Sequence, residues 1–358
     1  MPTILLFRFS AMGDVLLTVP VVRSLVQTYP TVYVTVVTRL KFAPFFEGIE
    51  RVTVVAADID TEYKGVIGLW RLFKTLTKGV KYEVVIDLHD VIRTQVLRLF
   101  FRLAGTPIIV FDKGRAAKKK LIIRPPKTLI PLPHTTTRYA DACAQAGYPI
   151  TLCAPPVLSV AASAHTALHT WLATLPTHTR DALAKKNTQI LGIAPFAKHA
   201  TKQWGFDKIR ALTQILCFQN TEIVIFLFGG GNEETVLLQQ LAAQYPQNCF
   251  VVAGQLPLQA EVALMQKLDA LLCMDSSNLH LAALAGTKTV SIWGATHHFV
   301  GFAPYGNAHT IIQISEQELP CRPCSVFGDK PCYRGDHACM ARIGATAVAA
   351  ALGDVSSF

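Results

Sequence analysis

Charged side chains are scarce in this sequence. Asp, Glu, Lys and Arg make up 16% of 358 residues, against 51% hydrophobic ones, and the mean hydropathy is +0.34. A chain so apolar and so weakly charged is not disordered. Long apolar runs are also missing: Arg, Lys or Asp interrupts each candidate before the roughly 18 residues that a spanning helix needs. The opening residues have no basic leader, and Arg8 and Asp14 break their apolar run, so a signal peptide is not expected. There is no low-complexity segment and no short repeat. These absences predict a globular, cytoplasmic protein, in which nine cysteines are not expected to pair as disulfides.

At this length two domains are expected. Net charge of +10 falls unevenly, with 21 Lys and Arg against 11 Asp and Glu in residues 1–150, and 13 against 13 thereafter. The basic half is expected to meet something anionic: nucleic acid, a membrane surface or a phosphorylated substrate. A solvated basic face is the bland alternative.

Both halves alternate short apolar runs with helical periodicity, the pattern of a parallel sheet covered on both faces. Strands are predicted at Ile4–Phe9, Val32–Val37, Val52–Ala56, Glu83–Leu88 and Pro107–Phe111. The second series comprises Ile190–Ala194, Glu222–Phe228, Phe250–Ala253, Ala270–Met274 and Thr289–Trp293. Lys113 to Lys127 is a charge run read as a solvated loop. The predicted division is a basic N-terminal domain over 1–160, a C-terminal domain over 161–340, and a C-terminal helix over 341–358 that crosses back to the N-terminal domain.

Three stretches carry chemistry. Ser10 to Asp14 follows the first strand and opens a helix, where ligands of such sheets gather. Asp14 reads either as a helix cap or as a base that takes a proton from a substrate hydroxyl. Asp275 to Gly286 offers small polar residues at a helix N-terminus, a seat for a diphosphate, with His280 in the first turn. The alternative there is a capping Asp and a buried His. Pro195 to Trp204 places Lys198 and Lys202 after a strand, where they could neutralise a phosphate or remain solvated. Gly229 to Glu234 fails the dinucleotide fingerprint, because its sixth place is Glu234 rather than Gly, which argues against a dehydrogenase. A non-catalytic nucleic-acid binder would explain the basic half, but no stacking aromatic pattern accompanies it.

Taken in order, these pieces resemble glycosyltransferase family 9, the lipopolysaccharide heptosyltransferases. The first half carries R-x-S-x-x-G-D at Arg8, Ser10, Gly13 and Asp14 followed by Pro20, a strand ending near Asp87, and H-x-x-x-R-Y at His134, Arg138 and Tyr139. The second carries K-x-W at Lys202 and Trp204, G-G-x-x-E at Gly229, Gly230 and Glu233, and D-S-x-x-x-H-L from Asp275 through Ser276, His280 and Leu281. Cys321, Cys324, Cys332 and Cys339-Met340 follow. The resemblance implies a GT-B fold, two Rossmann-like, doubly wound α/β domains facing across a central cleft.

It further implies an inverting transfer of heptose from ADP-L-glycero-D-manno-heptose to the anionic, lipid-anchored inner core of lipopolysaccharide. A different nucleotide sugar or cell-surface glycan acceptor is the alternative within the family. By family role Asp14 is the base and Lys202 stabilises the departing diphosphate, with no metal or other cofactor. Glu233, Asp275, Ser276, Ser277 and His280 bind the donor, while Ser10, Gly13, Arg93 and Arg138 serve the acceptor or support its loops. The partners expected are the cytoplasmic face of the inner membrane, no nucleic acid, and no second copy of the chain. Three departures from the family's pattern bear on sugar specificity: Ser277 stands where Gly is frequent, Gly205 where Pro is, and Ala11 after Ser10 leaves one hydroxyl near the base missing. Cys321, Cys324, Cys332 and Cys339 lack a second C-x-x-C, so a reduced buried cluster is favoured over structural zinc.

Overall fold

The structure is a computed structural model that describes residues 1–306 and 308–353. Residues 354–358 of the expected tail lie outside the described residues. Two compact units divide the chain. The first comprises 1–115 and 133–159. Its strands β1 (Thr3–Phe7), β2 (Tyr33–Thr38), β3 (Val52–Ala56), β4 (Val84–Asp87) and β5 (Ile108–Val110) are all parallel, in the order β3-β2-β1-β4-β5. The second comprises 116–132 and the chain from Val160 onward. There β6 (Ile190–Ala194), β7 (Val224–Leu227), β8 (Cys249–Val251), β9 (Ala270–Met274), β10 (Thr289–Ile292) and β11 (His309–Ile312) run parallel in the order β11-β10-β9-β6-β7-β8.

Central strands are covered on both faces and therefore read as continuous apolar runs. Ile4, Leu5 and Phe7 of β1 are fully buried, as are Ala270 to Met274 of β9. In each sheet the chain order reverses once, between β1 and β4 in the first unit and between β6 and β9 in the second. Ligands of open α/β sheets bind beyond the carboxyl ends of the strands at such a reversal.

Several expectations are corrected. The opening helix is two pieces, Met12–Leu16 and Val19–Thr28. Thr18 Oγ1 closes back on the Val15 carbonyl at 2.7 Å, and Pro20, which cannot donate to a preceding turn, sits in the first turn of the second piece. The charge run is not a solvated loop. Arg115–Leu121 is helical, Lys118 is buried with its ammonium 4.3 Å from the Phe302 ring centroid, and Lys127 Nζ donates to the Cys321 and Pro323 carbonyls at 3.1 and 2.6 Å. This fixes 116–132 into the second unit, and the first unit is not the more basic one: it holds 16 Lys and Arg against 11 Asp and Glu, the second 18 against 13. The tail helix Ala345–Gly353 is part of the second unit, packed along Phe206–Gln219, which corrects the expectation that it returns to the first. Trp204 Nε1 donates to the Ile343 carbonyl and Lys208 Nζ to those of Met340, Ala341 and Ile343, which ties the tail down.

Candidate active site

In the first unit, the loops after β1 and β4 meet at the order reversal. Asp14 is the third residue of Met12–Leu16, so it is not the cap. Its Oδ2 reaches back to the Ala11 amide at 3.3 Å and pairs with Arg8 Nη2 at 2.7 Å. Among the described residues Oδ1 takes no hydrogen bond and no ion pair, and the side chain is 27% exposed, which leaves that oxygen able to accept a proton. Arg8 is buried. It also donates to the Leu88 carbonyl and lies 5.9 Å from the Tyr139 ring centroid. Tyr139 is fully buried, its hydroxyl finds no hydrogen bond among the described residues, and burial raises its pKa.

His89 was not singled out in the sequence, because a histidine just past a strand looks like ordinary loop. Its Nδ1 accepts from the Phe9 amide at 3.4 Å, which leaves the ring proton of the neutral form on Nε2, 3.5 Å from Ser10 Oγ. Burial, with the Arg8 guanidinium alongside, pulls the His89 pKa down to about 3, so the ring is neutral at any working pH. Beneath it Asp87 is fully buried; its Oδ1 accepts the His89 and Asp90 amides at 2.8 and 2.9 Å, and Arg98 stands 3.4 Å from Oδ2.

The remaining first-unit candidates sit apart from Asp14 in role. Gly13 is inside the short helix with no positive φ. Arg138 pairs with Asp112 at 3.3 Å and packs over Gly114, where a Cβ would come within 2.5 Å of the guanidinium carbon, so it braces that loop. Arg93 pairs with Asp60 at 3.2 Å and lines an open hollow of about 650 Å³ with Asp90, Gln95, Lys113 and Arg115.

In the second unit, the loops after β6, β9 and β10 converge. Lys202 Nζ lies 3.0 Å from Asp275 Oδ2 and donates to the Asp275 carbonyl at 3.1 Å. Thr296 Oγ1, fully buried, donates to the same Oδ2 at 2.7 Å. As with Asp14, among the described residues Oδ1 of Asp275 takes no hydrogen bond. Sequence reading missed Thr296 because its partner is 21 positions away. The lysine stem rests against Gly328 at φ +78°, where a Cβ would come within 2.6 Å of Lys202 Cγ, so glycine is required there. Arg322 braces the Thr296 loop from behind, donating to the carbonyls of Trp293, Gly294, Thr296 and Ile314.

Ser276 is the N-cap of Ser277–Ala285, and among the described residues its buried Oγ has no hydrogen-bond partner. Ser277 has no positive φ, so serine fits where the family often carries glycine. Gly205 sits at φ +102°, a conformation closed to proline, so the backbone entering Phe206–Gln219 is this chain's own. His280 is buried. Glu233 is exposed in the first turn of Asn232–Gln244, while its neighbour Glu234 accepts the Gly230 amide at 2.8 Å and holds the glycine loop. Lys198 is exposed in the loop that carries Lys202.

Cys321, Cys324, Cys332 and Cys339 line one cavity of about 10 Å³, roughly a water's worth, and all are free thiols. Burial pushes Cys339 up to about 11 and raises Cys324 as well. Among the described residues no three His, Cys, Asp or Glu side chains are grouped closely enough to hold a metal ion.

Against known proteins, residues 69–327 match the model of glycosyltransferase family 9 (heptosyltransferase). The lipopolysaccharide core heptosyltransferase OpsX of Haemophilus influenzae is 23% identical over 313 residues, covering 87% of this chain and 84% of its own. Among solved structures, the family 9 glycosyl transferase of Veillonella parvula aligns with a TM-score of 0.75 at 17% identity over 99% of this chain and 97% of its own. E. coli ADP-heptose LPS heptosyltransferase II aligns at 0.69 and 17% identity, over 99% and 98%. The E. coli heptosyltransferase WaaC solved with ADP aligns at 0.66 and 18% identity, over 99% of each chain. These likenesses place both units in the GT-B fold. The matched stretch takes in β4 to β11 and the Lys202, Glu233 and Asp275 loops, and on it the chain belongs to glycosyltransferase family 9 and is a glycosyltransferase.

Proposed function

We propose that this enzyme transfers a heptose from ADP-L-glycero-D-manno-heptose to the inner core of lipopolysaccharide, at the cytoplasmic face of the inner membrane and with inversion at the anomeric carbon. The names of the relatives support heptose as the sugar and the core as the acceptor. The observation that carries the chemistry is Asp14: Arg8 and the Ala11 amide hold one carboxylate oxygen and leave the other to receive a proton. As the acceptor oxygen attacks the anomeric carbon, its proton passes to Asp14 Oδ1. The bond from that carbon to the diphosphate oxygen breaks, its electron pair leaving with ADP. Attack opposite the leaving group inverts the centre.

The departing diphosphate needs positive charge that is already in place, because such preorganisation costs nothing at the moment of reaction. Lys202 supplies it, held ready by Asp275, together with the amides that open Ser277–Ala285. Asp275 Oδ1 and Glu233 then serve sugar and ribose hydroxyls, and the unpartnered Ser276 Oγ serves the diphosphate. No metal is required in this scheme.

Calorimetry with ADP, UDP and GDP, each with and without Mg²⁺, tests the donor assignment. ADP should bind tightest, with an affinity that magnesium does not change. Preference for UDP or GDP would move the donor elsewhere within the family. Binding that needs magnesium would remove Lys202 as the diphosphate's counter-charge.

A further inference from the structure

The first unit carries an outward surface for which its core has no use. Helices Gly65–Thr77 and Ile92–Leu103 pack together through Phe73, which meets Phe101 edge-on at 4.9 Å. Their inner faces bury Leu69, Leu72, Leu76, Leu97 and Phe101. A helix at the rim of a domain should turn polar residues outward. Here Ile67 is 77% exposed, and Ile92 and Leu103 are each 78% exposed, with Val66 and Leu99 also more than half exposed. On the second helix Ile92, Val96, Leu99 and Leu103 follow at i, i+4, i+7 and i+11, so they form one stripe. Trp70 joins the two helices, its ring edge-on to Phe100 at 5.1 Å and 43% exposed.

The charge on this surface has one sign. Residues 65–82 and 91–111 contain no Asp or Glu, and they hold Arg71, Lys74, Lys78, Lys81, Arg93, Arg98 and Arg102. Lys74 Nζ lies 5.0 Å from the Trp70 ring centroid, its stem lying over apolar surface with its charge outward. Arg93 pairs with Asp60, and Arg98 with Asp87 and Asp90, but among the described residues Arg71, Lys74, Lys78, Lys81 and Arg102 form no ion pair. Exposed aliphatic and indole groups set among these five cations suit an anionic lipid surface, whose headgroups take the lysines and arginines while the apolar tips enter the interface. A second copy of this chain suits it poorly, because a symmetric pairing would set the same cations against each other. No described helix is long and apolar enough to cross a membrane, so any attachment made by these two helices is lateral.

We infer that the outer face of Gly65–Thr77 and Ile92–Leu103 docks the enzyme on an anionic bilayer. The inference rests on the proposed function only in taking the acceptor to be lipid-anchored. The test is sedimentation of the full chain with vesicles of phosphatidylglycerol and phosphatidylethanolamine, beside vesicles of phosphatidylcholine alone. The wild type should bind the anionic vesicles at least ~10-fold better, and added salt should weaken that binding. The pair Ile67→Glu/Leu103→Glu and, separately, Lys74→Glu/Arg102→Glu should each lower binding about tenfold or more. Both should leave transfer to a water-soluble, deacylated core fragment unchanged, since none of the four residues belongs to the candidate site. Equal binding to both vesicle types overturns the inference, as does undiminished binding by both variants. Self-association that the variants abolish would make this face an interface between copies, and also overturns it. Vesicle binding by an enzyme that transfers heptose to no core fragment would keep the docking face and defeat the functional reading instead.

Discussion

The two units share an architecture and differ in how they hold charge at the switch point. In the second, Asp275 is paired with Lys202 and braced by Thr296, and the helix that starts beside it is buried along its whole length from Leu279 to Ala285. In the first, Asp14 lies on a five-residue helix with Arg8 behind it and one oxygen open. Its neighbouring loop gathers Arg98, Lys113 and Arg115 around Asp90. Net charge does not separate the units, since the cationic segment 116–132 belongs to the second. Local arrangement does. A preset, neutralised pair suits a diphosphate that always carries the same charge. An open carboxylate with a cation on its other oxygen suits an acceptor that must lose a proton.

The sharpest way to break this comparison is Asp14→Asn. The amide keeps the shape and loses the base, so kcat should fall by ~10²–10⁴, the usual worth of a positioned general base. ADP affinity, measured calorimetrically, should stay within about twofold, because the donor residues all belong to the other unit. If ADP binding fell as far as turnover, Asp14 would be a structural residue and the division of labour would be lost.

Lys202→Ala and Thr296→Val probe the second unit from two sides. Removing the lysine takes the counter-charge from the leaving group and leaves Asp275 largely buried without its cation, so kcat should drop ~10²–10³-fold, with a smaller loss of ADP affinity. Thr296→Val keeps the ion pair and removes one hydrogen bond to a charged group, about 1.5 kcal/mol, which should lower kcat by a little over tenfold. Steady-state kinetics on both variants decides the order. A larger loss for Thr296→Val would mean that the orientation of Asp275 matters more than the charge of Lys202.

Much of this was legible in the chain. β3, β6 and β9 lie on the expected residues because each is a short apolar run bounded by turn residues, and buried parallel strands leave that signature. Asp14, Lys202 and Asp275 were legible because a strand followed by a small-residue loop and a helix marks a ligand-binding end. What escaped was everything held by partners distant in sequence. Lys127 is a charge-run lysine whose ammonium finds carbonyls 194 and 196 residues away. Thr296 and Arg322 work through Asp275 and the Trp293–Thr296 carbonyls, which no local pattern announces. Residues 162–184 form the helices Ala162–Ala173 and Thr177–Ala184, whose amphipathicity is hidden by alanine-rich sequence although their helix propensity is not.

A finer contrast lies in pH. Each unit buries one neutral histidine with its pKa pulled down to about 3: His89 behind the Ser10 loop, by burial and Arg8, and His297 beside Thr296, by burial and His298. In the unfolded chain both titrate near 6.5. Between pH 6.5 and 3 the unfolded state therefore binds protons that the folded state does not, and stability is lost as pH falls through that window. For His89 the contribution at pH 5 is about 1–2 kcal/mol relative to pH 7. The fall in Tm from pH 7 to pH 5 should accordingly be shallower in His89→Gln than in the wild type, and shallower in His297→Gln as well. Were the two units to melt separately in a calorimeter, each variant should flatten the slope of its own transition alone. A His89→Gln slope equal to the wild type's would mean that this ring is charged in the folded enzyme. Its proton assignment, and the hold it gives the Ser10 loop beside Asp14, would then have to be redrawn.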